Sequence, residues 1–252
     1  MPNKNQRLLL PAVAFLVLAA VGFDFGRRTM TGPAPKPAGR SEVTAVRSDS
    51  TRRSTLGGRA VNDRREQSRE RLRAEAARTF LGAMLLDTDS MLRRWPDERL
   101  ARPLRVAIVR PGQVQGFVED FVGNVVWAMS RWNASMPVQM QSSSDSASAD
   151  IVIRWITQLD SNRTGRTDLT WDSRGHVRYA VVHLATHTPE GVLLDNRQMT
   201  ALALHELGHA VGLGHSPSAD DALFPVTRAT DLTDRDRRSV YVLYDLPPGS
   251  VR

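Results

Sequence analysis

The chain has 252 residues, with 34 Lys and Arg against 27 Asp and Glu and a formal net charge of +7. That length accommodates one folded domain of ordinary size with appended segments, and the aromatic content, although low at 6%, is not that of a disordered chain. There is no Cys, which excludes disulfides in any compartment and excludes a thiolate metal site.

Residues 1–26 read as a targeting segment. Lys4 and Arg7 precede an apolar run from Leu8 to Phe23, and Ala20-Val21-Gly22 offers small residues for cleavage. The run is short for a membrane span, which needs about 20 apolar residues, and Pro11 interrupts its start. Export is therefore expected, to a secreted or periplasmic location after signal cleavage, with an uncleaved N-terminal membrane anchor as the alternative. Residues 27–60 read as a disordered basic linker, opening on Gly32-Pro-Ala-Pro-Lys-Pro37. The whole +7 excess lies in residues 1–60, so residues 61–252 are neutral. Such a tail is either a solvated spacer or a contact to anionic lipid or cell-wall polymer; nucleic acid is not expected behind an export signal.

Residues 61–102 form a helical accessory stretch. Leu72, Ala76, Phe80, Met84 and Leu85 recur near helical spacing, which predicts a helix over 62–94, stopped by Trp95-Pro96. It could serve as a pro-segment, a stalk, or a helix packed on the domain that follows. That domain spans 103–249. A strand is expected at Leu104–Arg110, a helix at Val114–Ala134 through Phe117, Phe121, Val125 and Met129, and strands at Pro137–Gln141 and Ile151–Ile156. Thr167–Asp172 and His176–Ala185 read as a hairpin around Asp172-Ser-Arg-Gly175. Asp195 is placed to cap the next helix, with Gln198 completing a capping box, and Thr233–Tyr244 is the last helix, stopped by Pro247-Pro248. The order is that of an α+β domain.

The chemistry concentrates in His205-Glu-Leu-Gly-His209-Ala-Val-Gly212-Leu-Gly-His215. Residues four apart share a helix face, so His205 and His209 can grip one metal ion. Glu206 leans over the same ion and can reach a metal-bound water. A continuing helix cannot bring His215 to that ion; Gly212 can take the left-handed conformation that ends a helix and turns the chain back. Three neutral imidazoles on tetrahedral zinc leave a fourth position open, the arrangement of a catalytic site.

This stretch resembles the metzincin signature, and Gly208 and Ser216 make it similar to the matrixin branch, especially the bacterial matrixin-like peptidases. Asp221-Ala-Leu223-Phe224-Pro225 falls where matrixins have the Met-turn, and residues 232–249 look like the closing helix and tail. The resemblance implies a metzincin-type catalytic domain, a twisted mixed β-sheet packed on long helices with zinc in the cleft. It also implies zinc ligation by His205, His209 and His215 and catalysis by Glu206. Leu223 stands where the family has Met; the volumes are similar, so a working site with a slightly altered floor is expected. Without Cys, the cysteine-switch latency of animal matrixins is impossible here.

The expected activity is zinc-dependent endoproteolysis, by zinc-activated water with Glu206 as general base. A cell-wall peptide amidase on the same metal and a catalytically retired zinc-binding protein are the rival readings. A protein or peptide substrate is expected to lie extended along Val181–Ala185, and a monomer is expected. His176, His183 and His187 read as ordinary strand-face residues, since no His-x-Asp element suggests a second metal. Asp160, Asp168 and Asp172 form no ordered calcium-ligand series.

Overall fold

The computed structural model describes residues 50–160 and 162–252. The expected targeting segment at 1–26, and the linker up to residue 49, lie outside the described residues. Helix α1 (Ser50–Ala74) begins inside the stretch expected to be linker, and is followed by α2 (Leu81–Asp87), β1 (Met91–Leu92) and a 3-10 turn at Asp97–Arg99. Then come β2 (Leu104–Ile108), α3 (Asp120–Asn133), β3 (Met140–Ser143), β4 (Ile151–Ile156), β5 (Gly165–Trp171), β6 (Val177–Ala185), α4 (Asn196–Ala210), α5 (Asp234–Asp245) and β7 (Gly249–Ser250). Among the described residues, no helix is long and apolar enough to cross a membrane.

Strands β2 to β6 form one mixed sheet in the order β3-β2-β4-β6-β5. The first four run parallel, and β5 closes the edge antiparallel to β6. Strand β4 is central and is covered by side chains on most of its length, which is why it reads as a nearly unbroken apolar run rather than an alternation. Helix α3 buries Phe121, Val125, Ala128, Met129 and Trp132, a stripe at helical spacing. It lies against α4, where the Trp132 indole N–H donates to the Leu204 carbonyl at 3.0 Å. Helix α4 is buried nearly all round, so it carries no clear polar face. The fold is α+β, a mixed sheet with α3 and α4 packed on each other and on its strands.

Several elements differ from their sequence expectation, each for a tertiary reason. The single helix expected over 62–94 is two helices with a break at 75–80. Glu75 turns inward there and is gripped by Arg71 and Arg238, the latter through its Nε at 2.9 Å. The Thr79 hydroxyl donates to the Glu75 carbonyl, and the Phe80 N–H donates to Ser239 Oγ on α5 at 3.1 Å. Docking on α5 thus overrides helical periodicity. Helix α3 starts at Asp120, because residues 114–119 form a turn through Gly116, whose φ is +74°. Strand β3 starts later than Pro137: the Asn133 amide bonds both the N–H and the carbonyl of Met140, so the residues between them are used in reversing the chain. Strand β6, expected to lie beside an extended substrate, is paired on both sides; β5 is the free edge instead.

The segment from residue 80 to residue 95 belongs to the main core. Phe80, Leu81, Met84, Leu92 and Trp95 are all essentially buried in the same cluster as the sheet and α4. Strand β1 pairs antiparallel with β7, and Arg94 bridges to His176. The Trp95 indole N–H donates to the Ala210 carbonyl at 3.0 Å, at the end of α4. Replacing Trp95 with Ala should cost about 3–5 kcal/mol of unfolding free energy, read from urea denaturation. A loss under about 1 kcal/mol would show that this segment lies outside the cooperative core.

Candidate metal centre

Helix α4 begins with the capping box expected for it. The Asp195 carboxylate accepts from the Gln198 N–H at 2.8 Å, and the Gln198 side chain accepts from the Asp195 N–H at 2.9 Å. The helix therefore starts at a fixed residue, and His205, Glu206 and His209 fall on the part of it that faces the sheet edge. After Ala210 the chain turns at Gly212, whose φ is +107°. A side chain there is doubly excluded, since a Cβ would run into the carbonyl oxygen of Arg93. This turn carries His215 back to the other two imidazoles. Ring centroids are 4.6 Å apart for His205 and His209, 4.8 Å for His209 and His215, and 5.3 Å for His205 and His215.

The protonation of these rings follows from their neighbours. His205 Nδ1 lies 2.8 Å from the Ala222 carbonyl, and His209 Nδ1 lies 2.9 Å from the Leu213 carbonyl. A carbonyl only accepts, so each Nδ1 carries the hydrogen. Burial holds His205 well below the ordinary imidazole range, reinforced by His209 and His215, and burial likewise lowers His209 and brings His215 to about 3. All three rings are neutral at physiological pH, and the Nε2 atoms of His205 and His209 present lone pairs to each other at 3.0 Å. Two lone pairs at that distance repel unless a cation lies between them. One ligand atom from each His falls within 4.8 Å of the others, and among the described residues this is the only such group. The donor set fits zinc: three neutral imidazoles, two of them oriented by a carbonyl behind the ring, and three protein donors rather than four.

Glu206 is 4% exposed, and its carboxyl points to the sheet edge. The Thr167 hydroxyl on β5 donates to Glu206 Oε2 at 2.6 Å. Gly165, also on β5, presents a bare Cα to Oε1; a methyl there would overlap it. Burial pushes this carboxyl up to about 7, against the lowering effect of the Thr167 hydroxyl and the positive charge of Arg163.

The matrixin family model matches residues 117–245, just over half of the chain. The chain belongs to the matrixin family. It is accordingly a zinc-dependent metallopeptidase acting on peptide substrates. No curated protein matches the chain.

In this matrixin the segment expected at the Met-turn position packs under α4. Leu223 is fully buried, and its methyls lie where a side chain on Gly208 would be, beside Trp132. Two buried carboxylates hold the loop. Asp221 accepts from Ser216, from Thr233 Oγ1 at 2.8 Å and from Arg235 Nε at 2.7 Å. Asp236 accepts from the Ala222 N–H at 3.0 Å, while the Ala222 carbonyl is the one that orients His205. The other His residues lie apart from the triad. His176 is 3.2 Å from Asp172, His183 is 3.7 Å from Asp168, and His187 is 2.9 Å from the Thr186 hydroxyl. Asp168 pairs with Arg166, and Asp172 with Arg178.

Sequence reasoning missed Thr167, Gly165 and the orienting carbonyls of Leu213 and Ala222. Carbonyls have no residue signature, and a Thr and a Gly in a strand carry no mark of a partner on a distant helix. Asp221→Ala should destabilise the fold by about 2–3 kcal/mol, because it leaves Arg235 and the buried Ser216 hydroxyl without their acceptor. Thermal or urea unfolding checks this, and a neutral result would mean that the loop is held without Asp221.

Proposed function

We propose that the chain is a zinc-dependent endopeptidase in which His205, His209 and His215 hold the zinc and Glu206 is the general base. The observation that carries this reading is the buried Glu206 carboxyl, one residue from a ligand and tethered at one oxygen by the edge strand. A site kept only for holding metal has no use for a desolvated carboxyl beside it. Zinc held by the three imidazoles supplies a Lewis acid and lowers the pKa of a coordinated water toward neutrality. Glu206 takes a proton from the attacking water and delivers it to the leaving amine nitrogen, so no covalent bond to the enzyme forms. Thr167 holds Oε2 and Gly165 leaves space at Oε1, which keeps the carboxylate in one orientation through both transfers.

The substrate is placed as an added strand on β5, the unpaired edge beside Glu206, and is held by main-chain hydrogen bonds. An internal stretch of polypeptide fits such an edge, which favours cleavage within chains. Export is part of the same proposal and rests on Lys4, Arg7 and the apolar run that follows them.

The test is cleavage of casein and mixed peptides by the full chain, with zinc content measured in parallel. Glu206→Gln should keep one zinc and lose about 1,000-fold in kcat/KM. Parental activity in that variant would remove Glu206 from the mechanism. Cleavage confined to cell-wall peptide amides would establish the amidase, and zinc binding without any cleavage would establish a binding protein. Gly165→Ala should displace the Glu206 carboxylate and the Leu202 Cδ1 methyl rather than the backbone. Its kcat/KM should fall about 100-fold, with a stability loss of about 1–3 kcal/mol. An unchanged rate there would show that the orientation of Oε1 does not matter.

A further inference from the structure

The turn that delivers His215 is backed by residues upstream of the matrixin match. Four consecutive positions of the turn each meet a different support. The Val211 carbonyl accepts from the Tyr244 hydroxyl at 3.0 Å. Gly212 lies against the Arg93 carbonyl, and the Leu213 carbonyl faces His209 Nδ1 at 2.9 Å. Gly214, immediately before His215, lies against Met84: a Cβ built on it would sit 2.5 Å from Met84 Cγ and 3.6 Å from its Sδ. Met84 is fully buried on α2, and Arg93 follows β1; both precede residue 117, where the family match begins.

We propose that Met84 is a positioning residue for the metal, a wedge behind Gly214 that holds the His215 arm of the triad at its ligating distance. This rests on the zinc reading of the triad. The physical basis is the asymmetry of the three ligands. His205 and His209 are held by a capped helix, whereas His215 stands on irregular chain after a left-handed residue. Hydrogen bonds hold the turn at Val211, Leu213 and Ser216, and packing completes the support: Met84 supplies the side chain at the position next to the ligand. The α1–α2 extension thereby contributes to metal affinity without touching the metal.

The experiment uses the full chain with zinc alone as the probe, and compares the parent with M84A, M84L, G214A, the double variant M84A/G214A, and V106A as a core deletion on β2. Zinc dissociation constants are measured by chelator competition under conditions where each protein is folded, and unfolding is followed separately. M84A should bind zinc about 10-fold more weakly, while M84L restores parental affinity. G214A should weaken zinc through its overlap with Met84 Cγ, and the double variant should recover part of that loss, because removing the Met side chain makes room for the new methyl. V106A should lose stability and keep its zinc affinity. If M84A does not fold, G214A and M84L still read the contact. Parental zinc affinity in M84A or in G214A, or additive losses in the double variant, would overturn the positioning role and leave Met84 as core packing. Failure of the parent itself to bind zinc would instead remove the metal reading, and the wedge with it.

Discussion

Two neutral imidazoles facing each other across 3.0 Å, lone pair to lone pair, form an arrangement that a chain adopts only under constraint. Protonating one ring would relieve it, but burial disfavours the charged form and keeps the rings neutral. The backbone holds the rings in place by donating acceptors: the Ala222 and Leu213 carbonyls fix which nitrogen carries hydrogen and so which one faces inward. Much of the fold can be read as support for those carbonyls. Leu213 belongs to the turn after α4, and Ala222 belongs to a loop whose N–H is bound by Asp236 at the start of α5. The last helix therefore acts on the site through one residue, Ala222.

The same logic explains why so much polarity is buried around an otherwise apolar helix. Glu206, Asp221 and Asp236 are all nearly inaccessible. Asp221 and the Oδ2 of Asp236 accept from hydroxyls, backbone N–H groups and Arg235, and their effect is to make a loop rigid where an apolar loop would slide. Glu206 has a single hydroxyl on one oxygen, so its desolvation is only partly offset. Asp236 likewise has its Oδ1 buried without a partner, and burial raises both carboxyls above the usual range.

The meeting of His205, His209 and His215 was legible because their spacing lies within one helix and one turn, where covalent geometry alone sets which side chains meet. Both capping boxes, Asp195 with Gln198 and Thr233 with Asp236, are equally local. What could not be read was non-local. The position of β5 at the sheet edge depends on strand order, and the bond from Thr167 to Glu206 spans 39 residues. The helix expected over 62–94 was split by Glu75 and Phe80 docking on α5, contacts that no periodicity encodes. The choice of Val181–Ala185 as substrate strand failed for the same reason, since pairing on both sides is a property of the sheet and not of the strand.

The pairing of β1 with β7, Met91 with Ser250 and Leu92 with Gly249, ties the segment before β2 to the strand that follows α5. A polypeptide emerges N-terminus first, so Arg93 and Met84 are available long before their turn at Gly212–Gly214, and β7 arrives last of all. Closure of this non-local ladder comes late, because its loop spans almost the whole domain. A chain cut before β7 lacks the partner of β1, the strand that lies between Met84 and Arg93 behind the third imidazole.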